Sequence, residues 1–375
     1  MKNSLWLPVL LLVTLCRIAT AQSDITLSGQ LDSAVRYSTN TDPTGGSRVA
    51  LGAAPDGYGL WRIKGNEGLG SGLSAHFTLE SQFQVASGAQ VLAPASPLYG
   101  LFGREASAGV TFGNSALDAG RLQSAGTAAG ALVLADPVNG AGYYIETIWP
   151  GEYVGLRFPN ALRYRYADNG ISVSLMHAFG TQAGSFGNLS MNAVTLGYQA
   201  GPMKLMLAAQ IVEDGKGNRM STQTLGATYD VLPSITAHFA LMNSNADRGF
   251  AGIPNTGIIA PLPPLASTET MHFYLAGLTW RATDAVTLRT ACYSGSSDGG
   301  TFIPSTESGK ILTCYGAAHY ALSKRTRLIA GVDDNHWTGG YGGYWGSSAE
   351  RQTGVNFHNG NDTRMNISLG IEHVF

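Results

Sequence analysis

Charged side chains in this sequence alternate with apolar ones and do not gather into a reactive group. Arg62 and Lys64 are separated by one residue, and their neighbours Trp61 and Ile63 are apolar. Glu80 holds the same kind of polar position in a later segment. Successive side chains of a strand point to opposite faces, so these charges are predicted to line one face of a sheet, where fixed charge attracts or repels ions. Further cations on this parity are Arg36, Arg289 and Arg327.

The sequence carries no motif for covalent, metal or cofactor chemistry. Its eight histidines lack metal-ligand spacing, and no C-x-x-C, H-E-x-x-H, G-x-S-x-G or phosphate-binding loop is present. We therefore expect no enzyme activity and no cofactor. The formal net charge of −2, without a basic cluster, also argues against a nucleic-acid partner.

The elements that carry these charges are amphipathic strands, and the end of the chain illustrates the pattern. Residues 362–375 place apolar side chains on one parity and polar ones on the other. Residues 24–37 repeat this alternation at the start of the chain. If the pattern runs through the whole chain, the sheet closes on itself, with lipid outside and water inside.

Composition and spacing predict how many strands the sheet contains. Charged residues make up 13% of the chain, and the mean hydropathy is +0.02, without long apolar runs. About sixteen strand-like segments of about 10 residues are joined alternately by tight turns and long loops. We predict an all-β fold, a 16-stranded antiparallel transmembrane β-barrel. Three segments do not sort by parity: 103–112, 116–122 and 271–280.

The first 21 residues read as a cleaved signal peptide. Lys2 provides the basic region, residues 5–15 form an apolar stretch, and Ala19 and Ala21 form a small-x-small cleavage site. Eleven apolar residues are too few to span a bilayer, which takes about 20. We expect an exported chain whose barrel domain covers residues 22–375.

Five motifs occur in order along the chain: ITLSGQLDSAVRY (25–37), LWRIKGNEGLGSGLSAHFTLESQF (60–83), LFGREASAGVTFG (101–113), FPNALRYRY (158–166) and HYALSKRTRL (319–328). With the terminal Phe375, they resemble the general diffusion porins of Gram-negative bacteria, most closely the beta-proteobacterial type. The resemblance implies a homotrimer of barrels in the outer membrane, in contact with its lipid and lipopolysaccharide. It also implies that the third long loop, 123–156, folds into the lumen, although this segment matches the family little.

In such porins, wall arginines face acidic residues of the third loop across the water. Arg104 and Arg121 stand at family arginine positions, and Arg157 precedes a matching segment on the parity of the arginines that follow it. Leu60 stands where the family usually has arginine, so Arg62 would substitute about 6.6 Å along the strand. The basic constriction candidates are Arg36, Arg62, Arg104, Arg121, Arg157 and Arg163. The acidic candidates are Glu80, Asp136, Glu146 and Glu152.

Cys292 and Cys314 flank one long loop and share the outward parity of their strands. In an antiparallel hairpin they can lie opposite each other, and the periplasm permits disulfides. The alternative is two unpaired small apolar residues.

The sequence thus predicts a passive outer-membrane channel for small hydrophilic solutes and ions. Cations outnumber acids on the inward parity, which favours a weak preference for anions. Three alternatives remain at this stage: a porin selective for one solute, a barrel enzyme such as a lipase or protease, and a soluble β-sandwich adhesin.

Overall fold

The computed structural model describes residues 23–42, 44–52, 59–91, 100–125, 135–138, 156–253, 264–299, 308–339 and 361–375. The proposed signal peptide and the acidic candidates Glu146 and Glu152 lie outside these residues. Within the described ranges, no helix has the length and apolar character needed to cross a membrane.

The described residues contain eighteen strands, whose alternating sequences favour extended backbone. They are β1 (Ser23–Ser38), β2 (Arg48–Gly52), β3 (Gly59–Gly70), β4 (Leu73–Phe83), β5 (Gln90–Val91), β6 (Glu105–Phe112), β7 (Ser115–Gln123), β8 (Arg157–Asp168), β9 (Ile171–Ala178), β10 (Met191–Ala200), β11 (Met203–Glu213), β12 (Arg219–Leu232), β13 (Ile235–Ala246), β14 (Glu269–Arg281), β15 (Val286–Gly299), β16 (Gly309–Ala321), β17 (Thr326–Gly339) and β18 (Thr363–Val374).

Sixteen of these strands form one closed antiparallel ring, in which β18 pairs back onto β1. The other two are short: β2 pairs with the end of β1, and β5 adds two residue pairs to β4. Reciprocal backbone hydrogen bonds between Gly29 and Phe375, of 2.9 and 3.0 Å, help to close the ring. Among the described residues, each of the sixteen ring strands pairs on both sides, which confirms the predicted 16-stranded antiparallel barrel.

The two faces of the strands carry the polarity that the alternation predicts. On β18, Leu369 is 65% exposed on the outside of the barrel, whereas Asn366 and Ser368 face inward and are buried. On β1, Leu27 is 62% exposed, and Asp32 is buried inside. The barrel therefore has an apolar outside and places polar groups inside, as a barrel in lipid requires.

Tight turns join the strands at one end of the barrel, where the first and last described residues, Ser23 and Phe375, also lie. The β8–β9 hairpin has a two-residue turn, Asn169 and Gly170, and both have positive φ values, of 47° and 79°. Asn-Gly suits this turn because its twist matches that of the flanking strands. Longer connections leave the opposite end, including the third loop between β7 and β8.

An apolar cluster inside the barrel explains why segment 271–280 does not alternate. This segment lies in β14, where Phe273 faces inward and is 2% exposed, although Tyr274 beside it faces outward. We call the inner surface of β9–β16 the apolar half. It is defined by Met176, Met191, Met220, Met242, Met271, Phe273, Leu275, Tyr293, Ile311 and Tyr315. Loop residues pack into the same cluster: Ala135, Val138, Phe250 and Leu265.

Candidate functional site: a charged arc on the inner wall

Glu80 is the centre of a charged group on the inner wall formed by β3, β4 and β6. The strand register places Glu80 directly opposite Arg62 on β3 and Glu105 on β6, so the three side chains share one face. Glu80 is buried and forms ion pairs with both Arg62 and Arg104. The Arg104 guanidinium also donates to the side chain of Gln82 at 2.5 Å. One carboxylate is thus shared by two guanidinium groups.

Asp118 is the second acidic centre of this wall. The register places it opposite Arg163 on β8, whose Nε donates to its carboxylate at 3.2 Å. Arg165 donates to the same carboxylate at 2.8 and 3.0 Å, and His76 Nε2 lies 2.8 Å from it. Asp118 was not predicted from the sequence, because segment 116–122 does not sort by parity and the arginine partners of Asp118 follow the third loop. No local sequence pattern identifies Asp118 as a member of the site.

The two centres are joined into one group, which we call the charged arc. A guanidinium nitrogen of Arg163 lies 4.0 Å from Glu105, which is opposite Glu80. The buried Arg157 donates from Nη1 to the backbone carbonyl of Arg104 at 2.8 Å. The arc consists of Arg62, Glu80, Arg104, Glu105, Asp118, Arg157, Arg163 and Arg165. Its five arginines exceed its three acids by two charges.

A β-bulge alters the facing that sequence parity assigns to Arg157. Between Gly120 and Leu122 the β7–β8 register shifts, which inserts an extra residue on β8, and Asn160 takes a φ of 54°. A bulge interrupts the alternation of side chains. Arg157 and Arg163 have the same parity in the sequence, but because of the bulge this parity does not place their side chains on the same face. Arg157 contacts the arc through the backbone carbonyl of Arg104.

Arg121 lies on the other face of the wall. It pairs with Ala106, and Ala106 pairs with Leu79, on the face opposite to Glu80. Arg121 Nε donates to the carbonyl of Gly103 at 2.7 Å, in the segment that leads into β6. The register places Arg121 on the strand face opposite to that of Glu80, and its membership of the basic constriction stays a prediction.

Arg36 lies inside the barrel but far from the arc. Arg62 is in register with Ser28, so Arg36, eight residues further along β1, lies about 26 Å away along the strand. Its guanidinium is 3.5 Å from the Asp333 carboxylate, and both side chains are buried. Arg36 thus belongs to a separate ion pair beside the barrel seam. Arg327 is also paired, with Glu372 at 2.8 Å.

Asp136 is the third-loop acid candidate that the structure describes, and its contacts lie in the apolar half. Its carboxylate accepts a hydrogen bond from the Tyr315 hydroxyl at 2.6 Å. His238 Nδ1 lies 2.9 Å from the carbonyl oxygen of Ala135. Residues 135–138 therefore contact the inner faces of β13 and β16, and Asp136 anchors this segment to the wall.

The two cysteines lie opposite each other on the outward face of β15 and β16. The register pairs Cys292 with Cys314, and their sulfur atoms are 2.09 Å apart in a disulfide. This bond joins two strands that are already paired, outside the lumen.

A closed sixteen-stranded barrel, apolar outside and charged along part of its inner wall, defines an outer-membrane β-barrel of the porin class. The sequence model of the Gram-negative porin family matches residues 9–340, and the chain belongs to this family. No curated protein sequence gives a match.

Solved structures share the fold. An anion-selective porin from Comamonas acidovorans is 20% identical, with a TM-score of 0.71 over 94% of this chain and 100% of its own. The trimer form of OmpT, an outer membrane protein of Vibrio cholerae, is 11% identical, with a TM-score of 0.63 over 94% and 99%. OmpF of Salmonella typhi, solved with daunomycin, is 15% identical, with a TM-score of 0.58 over 94% and 97%. These likenesses concern the barrel architecture.

Proposed function

We propose that this porin is a passive channel for small hydrophilic solutes and ions, with a weak preference for anions. The charged arc is the observation that carries this proposal, because its arginines exceed its acids by two charges. Ions that pass such a wall are attracted or repelled according to sign, and the low-dielectric barrel focuses the field into the water. The solute gradient supplies the driving force.

The ion pairs of the arc explain why the preference should be weak. Glu80 neutralises part of the charge on Arg62 and Arg104, and Asp118 does the same for Arg163 and Arg165. Paired side chains keep their net charge but hold it in fixed places. The expected result is a shallow positive potential along one wall and not a deep anion-binding site.

We also infer that the third loop crosses the lumen. It leaves β7 and returns to β8, next to the charged arc, yet residues 135–138 contact His238 and Tyr315 on the distant strands β13 and β16. Contacts of residues 135 and 136 with the inner faces of the distant strands support a path of this loop across the interior. The channel would then run between this loop and the arc.

The proposed protein is a homotrimer of the outer membrane, exported with a signal peptide that is removed. Membership of the Gram-negative porin family supports the location, and a trimeric similar structure supports the assembly. Heat-dependent mobility of the purified protein on a denaturing gel would show the trimer. N-terminal sequencing of the mature chain would identify the cleavage site.

A porin selective for one solute is the second candidate, and the apolar half favours it. Buried Met and aromatic side chains pack together on the inner surface from β9 to β16. This packing would confine the water to the side of the arc. A narrow channel with fixed charges discriminates by size as well as by sign.

Planar-bilayer recordings and swelling of protein-loaded liposomes test the proposal together. A general channel gives stepwise conductance and swelling rates that fall smoothly with the size of neutral sugars. A swelling rate for one sugar that is higher than its size predicts supports the solute-specific porin. A folded, inserted protein without conductance contradicts both candidates.

A further inference from the structure

His76 is a titratable side chain of the inner wall that lies beside the charged arc. It belongs to β4, where it precedes Glu80 by four residues, so both side chains point to the same face of the strand. The His76 side chain is 19% exposed, and its Nε2 atom lies 2.8 Å from the Asp118 carboxylate. His76 can therefore exchange a proton with water, and the charge it gains is added to the wall at the arc.

A glycine between His76 and Asp118 allows them to meet. Gly109 on β6 is in register with His76 on one side and with Asp118 on the other, so the three residues form one row on the inner face. A Cβ atom on Gly109 would lie 2.7 Å from His76 Nε2 and 2.9 Å from an Asp118 carboxylate oxygen. The imidazole and the carboxylate thus fill the space that a side chain on β6 would occupy.

The second ring nitrogen of His76 has a partner that suits a neutral and a charged imidazole equally. An ionised carboxylate only accepts hydrogen bonds, so Nε2 is the donor to Asp118 in both states. The Nδ1 atom lies 3.3 Å from the Thr111 hydroxyl, which can donate to a neutral ring or accept from a charged one. Protonation therefore keeps both hydrogen bonds and adds a charge without displacing the ring.

Opposing charges surround His76 on the inner face. Asp118 attracts a proton on the imidazole, and Arg163 and Arg165, which are bound to the same carboxylate, repel it. Histidine is the side chain that ordinarily changes charge between about pH 5 and pH 8. Among the residues that the structure describes, the charged groups facing His76 are Lys64 on β3, Glu80 on β4, Glu105 on β6, Asp118 on β7, and Arg163 and Arg165 on β8.

We propose that His76 is a specificity-determining residue that makes the ion preference of the channel depend on pH. This inference rests on the proposed function, because it adds one titratable charge to the wall that carries the charged arc. With a neutral His76, the positive charges exceed the negative ones by two, and a protonated His76 raises this excess to three. Acidification should therefore strengthen the preference for anions.

Two other histidines allow the source of a pH response to be identified. His336 also lies 2.8 Å from a carboxylate, that of Asp334, but on the outward face of β17. His238 faces inward in the apolar half, where its ring nitrogens contact the Ala135 carbonyl and the Thr279 hydroxyl. A response that comes from His76 should be insensitive to substitution of either residue.

Zero-current potentials of the refolded protein at about pH 8 and about pH 5.5 test the proposal. An uncharged bilayer and a gradient around 0.1 M KCl, where the Debye length is about 10 Å, keep the wall charge visible to the ions. The ratio of anion to cation permeability should rise about twofold on acidification, the effect of one charge about 10 Å from the ion path. His76→Gln should give one ratio at both pH values, equal to that of the wild-type protein at the higher pH. The matched control His336→Gln should respond as the wild-type protein does.

His76→Lys is a second variant with a fixed charge. It should give, at both pH values, the ratio that the wild-type protein shows only at the lower pH. A wild-type ratio that does not change with pH, or a full response in His76→Gln, would overturn the proposal. Loss of the response in His238→Gln but not in His76→Gln would also overturn it, because the apolar half would then be the source.

Failure of the proposed function gives a different result. A wild-type channel that prefers cations at both pH values would contradict the proposed preference for anions. In that case, a shift toward anions on acidification that is absent in His76→Gln would still support the role of His76.

Discussion

The two halves of the barrel's inner surface have the same strand geometry but carry different inward side chains. In the charged arc, on strands β3–β8, inward side chains are arginines and acids that pair with one another beside the water. In the apolar half, on strands β9–β16, Met, Leu, Phe and Tyr residues pack against loop segments, with buried polar side chains such as Gln210, Thr222 and Glu269 among them. Alternation decides only which face a side chain occupies. The medium against that face, which is water at the arc and packed loop segments in the apolar half, determines whether charged or apolar side chains are stable there.

The apolar half and the charged arc therefore have different roles in the barrel. The apolar half behaves as a protein core, where close packing fixes loop positions. The arc remains partly exposed, since the Arg165 side chain is 47% and the Arg62 side chain 34% exposed. Substitutions in the apolar half and in the charged arc should therefore have different effects.

A charge placed in the apolar half should prevent folding, whereas one placed in the arc should not. Phe273→Lys buries an ammonium group without a partner, at a site that is 2% exposed, which costs several kcal/mol. Ser107→Lys is the matched variant, because Ser107 already donates to Glu105 at 2.9 Å. The fraction of heat-modifiable protein after refolding measures the effect. Equal yields of folded protein from the Phe273→Lys and Ser107→Lys variants would contradict the distinction between the apolar half and the charged arc.

Loss of Arg104 should reduce the preference for anions. A unit charge about 10 Å away in water changes an ion's energy by about 0.4 kcal/mol, with opposite sign for anions and cations. Arg104→Ala should therefore lower the permeability ratio about twofold to fourfold, and Arg104→Lys should preserve most of it. The ratio of anion to cation permeability, measured in planar bilayers, tests this prediction. An unchanged ratio in the alanine variant would show that Arg104 does not face the ion path.

Loss of Asp118 should act in the opposite direction and less strongly. Asp118→Asn leaves Arg163 and Arg165 without their shared acid, so the anion preference should rise. The rise should be below twofold, because Arg165 is half exposed and its charge is screened. Asp334→Asn, on the outward face, is the control and should leave the ratio unchanged. A fall in the ratio would contradict the charge count of the arc.

The disulfide should affect stability slightly and selectivity not at all. Such bonds typically contribute about 2–4 kcal/mol, and this one joins strands that are already paired, so the lower end is expected. Replacing Cys292 and Cys314 by serine should lower the temperature at which the folded gel band disappears. Reducing agent should do the same to the wild-type protein. A change in ion selectivity would contradict the outward position of the bond.

The sequence predicted the barrel well because a period of two is a local property of each strand. The strand count, the inward position of Glu80 and the opposition of the cysteines all follow from parity and hairpin order. The positions of Arg121 and Arg157 did not follow from parity. The face of Arg121 depends on its pairing with Ala106, and that of Arg157 depends on the register shift at Gly120 and Asn160, between strands separated by the third loop. Asp136 meets Tyr315, 179 residues away, and no spacing in the sequence predicts that contact.

The zero-current potential of the refolded protein in a planar bilayer under a KCl gradient tests the central claim most directly. We expect a small potential with the sign of anion preference, which becomes smaller in Arg104→Ala and larger in Asp118→Asn. A potential with the sign of cation preference, in a channel with normal conductance, would contradict the claim that the charged arc sets selectivity.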